Sequence, residues 1–184
     1  MRLGVALQKG GNPSGAIAAF EKAASLISFA SGGDNPHAFI AAIALEQNDR
    51  ARAIQALEAQ LRIDHYDVET ARKLARLLTA ASDAPRAAAT YEKVVGLDPF
   101  DTQAQASVGR AAMSRRDAPR ALRAFRAALA SAPADRASAY VDLAEAHLLN
   151  GEPAEARRQV LAALEIAPTF ERAQDLLLKV VGTP

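Results

Sequence analysis

At 184 residues, half of them apolar, the chain is long and hydrophobic enough to bury a sizeable core, which argues against a disordered polypeptide. Twenty-two Lys and Arg against 21 Asp and Glu leave a formal charge of +1, so no global field selects polyanions or an acidic membrane surface. The absence of cysteine excludes disulfides, thiolate nucleophiles and sulfur-ligated metals, and no apolar run reaches the roughly 18 residues of a membrane span.

The chain opens on MRLGVALQKGG, which lacks the apolar stretch and cleavage pattern of a signal peptide. Its first residue already sits inside an apolar-periodic segment, so the expectation is a piece of a larger protein, with the cytoplasm as the default location. The first predicted pair of helices, about 1–30, carries Leu3-Gly4 with Leu7, then the turn GGNPSG, then AIAAFEKA from Ala16. SFASGGDNP follows as an extra connection, with Gly32-Gly33 read as a turn. The second pair, 34–66, has Ile40-Ala41 with Ala44, then QNDR, then AIQALEAQ from Ala53, and ends at His65. The third, 67–100, has Leu74-Ala75 with Leu78, ASDAPR, AAATYEKV from Ala87, and Pro99. The fourth, 101–134, has Val108-Gly109 with Ala112, RRDAPR, ALRAFRAA from Ala121, and Pro133. The fifth, 135–168, has Leu143-Ala144 with His147, NGEPAE, ARRQVLAA from Ala156, and Pro168. TFERAQDLLLKVVG then repeats a first-helix pattern with no second helix after it, which predicts a capping helix over 169–181.

The five alanines Ala16, Ala53, Ala87, Ala121 and Ala156 recur at spacings of 37, 34, 34 and 35. The last slip is expected in the loop around Pro133. The small residue of each first helix is expected to sit opposite these alanines, because antiparallel helices approach closely only where their crossing is small. Each loop proline, or His65 in its place, separates one pair from the next, and Asp67, Asp101 and Asp135 are predicted to cap the helices that follow.

This order of large, small, aromatic, alanine and proline positions resembles the tetratricopeptide repeat (TPR) family over essentially the whole chain. The family's tryptophan is missing from all five copies, and the first copy lacks its opening residues. The resemblance implies an all-α fold, a right-handed superhelical solenoid of five helix-turn-helix repeats plus a C-terminal capping helix. It also implies a protein-interaction scaffold, without catalysis or cofactor, whose first helices line a concave groove for a peptide or a partner domain.

Counting from the small residues, the inner positions are Ala38, Ala42 and Leu45; Arg72, Arg76 and Thr79; Ala106, Arg110 and Met113; Val141, Glu145 and Leu148; and, on the last helix, Asp175 and Lys179. Arg72, Arg76 and Arg110 are the candidate centre for an acidic segment, since a guanidinium donates two hydrogen bonds at once to a carboxylate. The alternative is that they are ordinary solvated arginines partly neutralised by Glu69 and Glu145. Ala38, Ala42, Ala106 and Met113 would leave room for the ligand backbone and its apolar side chains. The clamp that some family members use for a terminal Glu-Glu-Val-Asp peptide needs lysine and asparagine, which are not at these positions.

A second basic cluster, Arg110, Arg115, Arg116, Arg120, Arg123 and Arg126, is offset in sequence only by Asp117. It lacks interleaved stacking aromatics, so it reads as a solvated outer face and not as a nucleic-acid site. His37, His65 and His147 fall in different repeats with no metal-ligand spacing, and His147 occupies a packing position. No membrane partner is expected. A monomer is expected, with self-association through the two ends as one alternative. The other is an accessory region of a larger enzyme, because spans such as LEIAPTFERAQDLLLK are similar to arrays that follow peptidase-like domains in some bacterial proteins.

Overall fold

The computed structural model of the chain describes residues 1–26 and 34–181. The Gly32-Gly33 turn and most of the SFASGGDNP connection therefore lie outside the described residues. Those residues form eleven α-helices and no strand: α1 (Arg2–Lys9), α2 (Pro13–Leu26), α3 (Pro36–Glu46), α4 (Arg50–Ile63), α5 (Val68–Ala80), α6 (Ala84–Leu97), α7 (Thr102–Ser114), α8 (Ala118–Ala130), α9 (Arg136–Leu149), α10 (Pro153–Ile166) and α11 (Glu171–Val181). They divide into two compact units, Met1–Thr90 and Tyr91–Pro184, with the division falling inside α6. Within the first unit α1 packs on α2, α2 on α3, α3 on α4 and α4 on α5; within the second, α7 to α11 pack in the same successive way.

Five turns of one design set the helical pairs. In each, the residue after the C-cap takes a left-handed conformation: Gly11 (φ 73°), Asn48 (58°), Ser82 (59°), Arg116 (58°) and Gly151 (76°). The next backbone N–H returns to a carbonyl five residues back, Asn12 to Leu7, Asp49 to Ala44, Asp83 to Leu78, Asp117 to Ala112 and Glu152 to His147, all at 2.8–2.9 Å. This is the Schellman closure, which satisfies the carbonyls that a helix end leaves without partners. The donor residue then begins the next helix. Asn12, Asp49, Asp83 and Asp117 accept from the backbone N–H three residues on, while Glu152 directs its carboxylate to His147 and Asn150 instead.

Inside two of the pairs the glycine of the first helix meets an aromatic ring of the second. A Cβ on Gly4 would stand 2.7 Å from the Phe20 ring, and one on Gly109 would stand 2.5 Å from Phe125. Glycine is therefore the partner of an aromatic residue sixteen positions on. Where alanine replaces it, the residue at the same offset is smaller for Ala41 and Ala144, at Leu57 and Val160, and remains aromatic for Ala75, at Tyr91. The one-residue slip falls elsewhere than expected. Asp135 still caps at the regular interval, but α9 has 14 residues against 13 in α7, so the extra residue lies in the helix and not in the Pro133 loop.

Asp67, Asp101 and Asp135 cap α5, α7 and α9 as predicted, accepting from the backbone N–H of Thr70, Ala104 and Ser138. At two joints a glutamine adds a bond invisible in the pattern: Gln105 donates to the Pro99 carbonyl and Gln174 to the Pro168 carbonyl, each at 2.8 Å. Asp67 accepts three hydrogen bonds. Burial works to raise its pKa, but the Thr70 backbone N–H, the Thr70 hydroxyl and the Gln60 amide outweigh it and hold the carboxyl below its ordinary value. A pKa lowered by folding gives stability that is complete above the unfolded value and is lost as pH falls through the folded one. Asp67→Ala is therefore expected to cost about 1–2 kcal/mol at neutral pH. The difference in thermal midpoint between the two proteins should close below about pH 4. A difference that stays constant down to pH 2 would assign the loss to packing.

α11 closes the second unit. Ala173, Leu176 and Val180 are buried with Val141, Ala144, Ala156, Val160 and Ala163, and Leu164 packs against this cluster. Leu161 of α10 stays exposed.

Candidate functional site

In the first unit, α3 and α5 stand side by side over the C-terminal end of α4 and leave a groove of about 590 Å³. Its wall on α3 is Ala38, Ala41, Ala42 and Leu45; its floor is Leu57 and Gln60; its rim is Asp64, Tyr66, Asp67, Glu69 and Lys73. Ala38 and Ala42, predicted to leave room for a ligand, do line open space. Arg72 and Arg76 are on α5 but outside this lining; Arg72 is half-buried and ion-paired with Glu69, and Arg76 is exposed.

In the second unit, α7 and α9 form the equivalent groove, about 220 Å³, lined by Ala106, Arg110, Phe125, Pro133, Asp135 and Asp142 among others. Arg110 does not stand open to solvent alone: its Nη1 donates to Asp142 at 3.3 Å. The buried Asp142 carboxylate also receives Arg172 of α11 at 2.7 Å, and Arg172 forks onto Glu145 through Nη2 at 2.7 Å and Nε at 3.2 Å. Burial disfavours the Arg172 charge, but its hydrogen bonds to Glu145 and Asp142 win, and its pKa lies above the ordinary guanidinium value. Glu145 is thus engaged with the last helix. Met113 is half-buried against the α8–α9 core, and Val141, read as an inner surface position, is fully buried because α11 covers it.

The outer arginine cluster has a counter-charge that local sequence did not reveal. Glu92 on α6 pairs with Arg120 at 2.7 Å and lies 3.9 Å from Arg115. His147 is in the core, with Nδ1 2.6 Å from Glu152 Oε2; that bond, with a second from Asn150, lowers the Glu152 pKa. Among the described residues no group of three His, Asp or Glu side chains is placed to hold a metal ion, and no helix is long and apolar enough to cross a membrane.

No curated protein of similar sequence was found. Among solved structures, the chain is similar to a MamA protein, with 25% identity and a TM-score of 0.69 over 78% of each chain. It is similar also to YrrB, described as a TPR protein with an unusual peptide-binding site, at 19% identity and a TM-score of 0.68 over 94% of this chain and 87% of that one. MamA from Desulfovibrio magneticus RS-1 aligns at 22% identity and a TM-score of 0.61 over 79% and 91%. The last two likenesses are of fold alone. The family model described as tetratricopeptide repeat matches residues 40–102 and 109–169, well over half of the 184 residues. The chain belongs to the tetratricopeptide repeat family.

Proposed function

We propose that the chain is a non-catalytic protein-interaction module that holds a peptide segment against the exposed faces of its first helices. The observation that carries this reading is the α3–α5 groove, whose α3 wall is almost all alanine and leaves open a space wide enough for a peptide backbone and its side chains. Support of a general kind comes from the family and from YrrB, a structural neighbour described as having a peptide-binding site. An acidic stretch of the bound segment would run over Arg72 and Arg76 of α5, because a guanidinium can donate two hydrogen bonds at once to a carboxylate.

Selection from a random peptide library on the immobilised chain tests this. Peptides should be recovered, and Arg72→Glu with Arg76→Glu should weaken those carrying acidic residues tenfold or more without loss of helicity. Arg123→Glu with Arg157→Glu, exposed on the outer helices α8 and α10, is the charge-matched control and should leave binding intact. Equal loss in both double variants would reduce the effect to net charge, and recovery of no peptide at all would remove the reading.

A further inference from the structure

The two grooves lie at equivalent positions of repeats two apart, and three of five matched lining residues differ. Ala38, Ala42, Leu57, Gln60 and Asp67 of the first correspond to Ala106, Arg110, Phe125, Ala128 and Asp135 of the second. The second groove, about 220 Å³, is lined by a cation of its own, Arg110, which bonds to Asp142, and by Phe125 where the first has Leu57. In the first, alanine stands where that arginine would be, and about 590 Å³ are open.

The first groove is also lined by a residue whose acceptor has no hydrogen-bond partner among the described residues. Gln60 is only 3% exposed and donates through Nε2 to Asp67 Oδ2 at 3.0 Å. A carboxylate only accepts, so this bond fixes which end of the amide is oxygen, and Gln60 Oε1 is left buried without a hydrogen-bond partner. Such a group is rare in a folded protein and calls for a donor. Asp64 lies one helical turn further on, at the C-cap of α4, where the helix dipole also favours positive charge. Around them the rim carries Asp64, Asp67 and Glu69 against Lys73, with Glu69 also paired to Arg72. Tyr66, 73% exposed on the α4–α5 turn, adds an aromatic surface to the same rim.

We propose that the α3–α5 groove binds a cationic side chain, best matched by arginine, of a partner peptide. Its alkyl stem lies along Ala38, Ala42 and Leu45, and its guanidinium donates to Gln60 Oε1 and the Asp64 carboxylate beside Tyr66. This inference rests on the peptide-binding reading above and names the chemistry of one subsite within it.

The test uses four labelled peptides identical except for one position, which is arginine, lysine, norleucine or glutamate, titrated with the whole chain by fluorescence anisotropy at about 0.15 M salt. The arginine peptide should bind at least tenfold tighter than the norleucine and glutamate peptides, with lysine between them. Asp64→Asn and Gln60→Leu should each weaken it severalfold. Ala42→Arg, at an exposed position and so without effect on folding, should abolish binding by filling the groove from within. Glu21→Gln, the same charge change on α2, should do nothing. Norleucine binding as well as arginine would make the groove an apolar pocket and overturn the proposal, as would equal loss with Glu21→Gln or a silent Ala42→Arg. If library-selected peptides bind the Ala42→Arg chain normally while the arginine peptide binds neither form, the interaction reading stands and this one falls; if nothing binds, both fall.

Discussion

Ending the chain before Thr169 is expected to strip the second unit of most of its stability. α11 buries Leu176 and Val180 almost completely and Ala173 fully, against Val141, Ala144, Val160 and Ala163. Burying one large aliphatic side chain is worth roughly 1.5–3 kcal/mol, and the loss is counted on both sides of the interface. A deficit of about 5 kcal/mol is comparable to the whole stability of a small domain. The truncation also takes Arg172 from Asp142, leaving a buried carboxylate with Arg110 alone. The expected product aggregates or melts far below the intact chain, as read by light scattering and circular dichroism. Arg172→Leu in the full chain isolates the ionic part, which should be the smaller because the Arg172 side chain is 42% exposed. A truncated protein that stays soluble and melts at the original temperature would show that α11 is an appendage.

Gly109→Leu is expected to have the next largest effect. Its Cβ alone would sit 2.5 Å from one Phe125 ring carbon and 2.6 Å from another, and the ring is itself buried against α9 residues Leu143 and Ala146. The added side chain must displace the ring or the helix, at a cost of about 1–3 kcal/mol. Gly109→Ala should show a milder loss, recovered in part by adding Phe125→Leu, because alanine followed sixteen residues later by leucine is the combination present at Ala41 and Leu57. Urea denaturation with an unchanged slope is the measure. Equal midpoints for Gly109→Ala and the parent would mean that the ring yields freely.

The helical pairs were legible because a repeated period reports the same packing problem solved five times, and the capping aspartates because they stand at the same step of each period. What escaped the sequence were relations between residues far apart in the chain. Asp142 reaches Arg110 and Arg172 because α9 lies between α7 and α11, and no local pattern links those three positions. Val141 was placed on the surface by counting from Ala144, a rule that holds only while the next first helix leaves that face open; α11 does not. The left-handed turns at Asn48, Ser82 and Arg116 were hidden for a different reason. Glycine signals that conformation, whereas these three residues adopt it under the constraint of the closure around them. Arg72 and Arg76 were correctly separated from the core by the periodicity of α5, but the groove opens on the Glu69–Lys73 side of that helix, a matter of α3 and α5 together.

The Schellman turn has one more consequence, for how such a chain can change in length. Between the left-handed residue and the cap that starts the next helix there is no spare residue, so a single insertion there would turn the second helix by about 100° against the first. The spacings of 34, 35 and 37 are all absorbed outside these turns. Each turn therefore behaves as a sealed clasp, and changes in length fall in a helix, as in α9, or in the seams between pairs. A tag or an added segment should be accepted beside Pro99 or Pro133, where neighbouring pairs meet, and refused between Asn48 and Asp49.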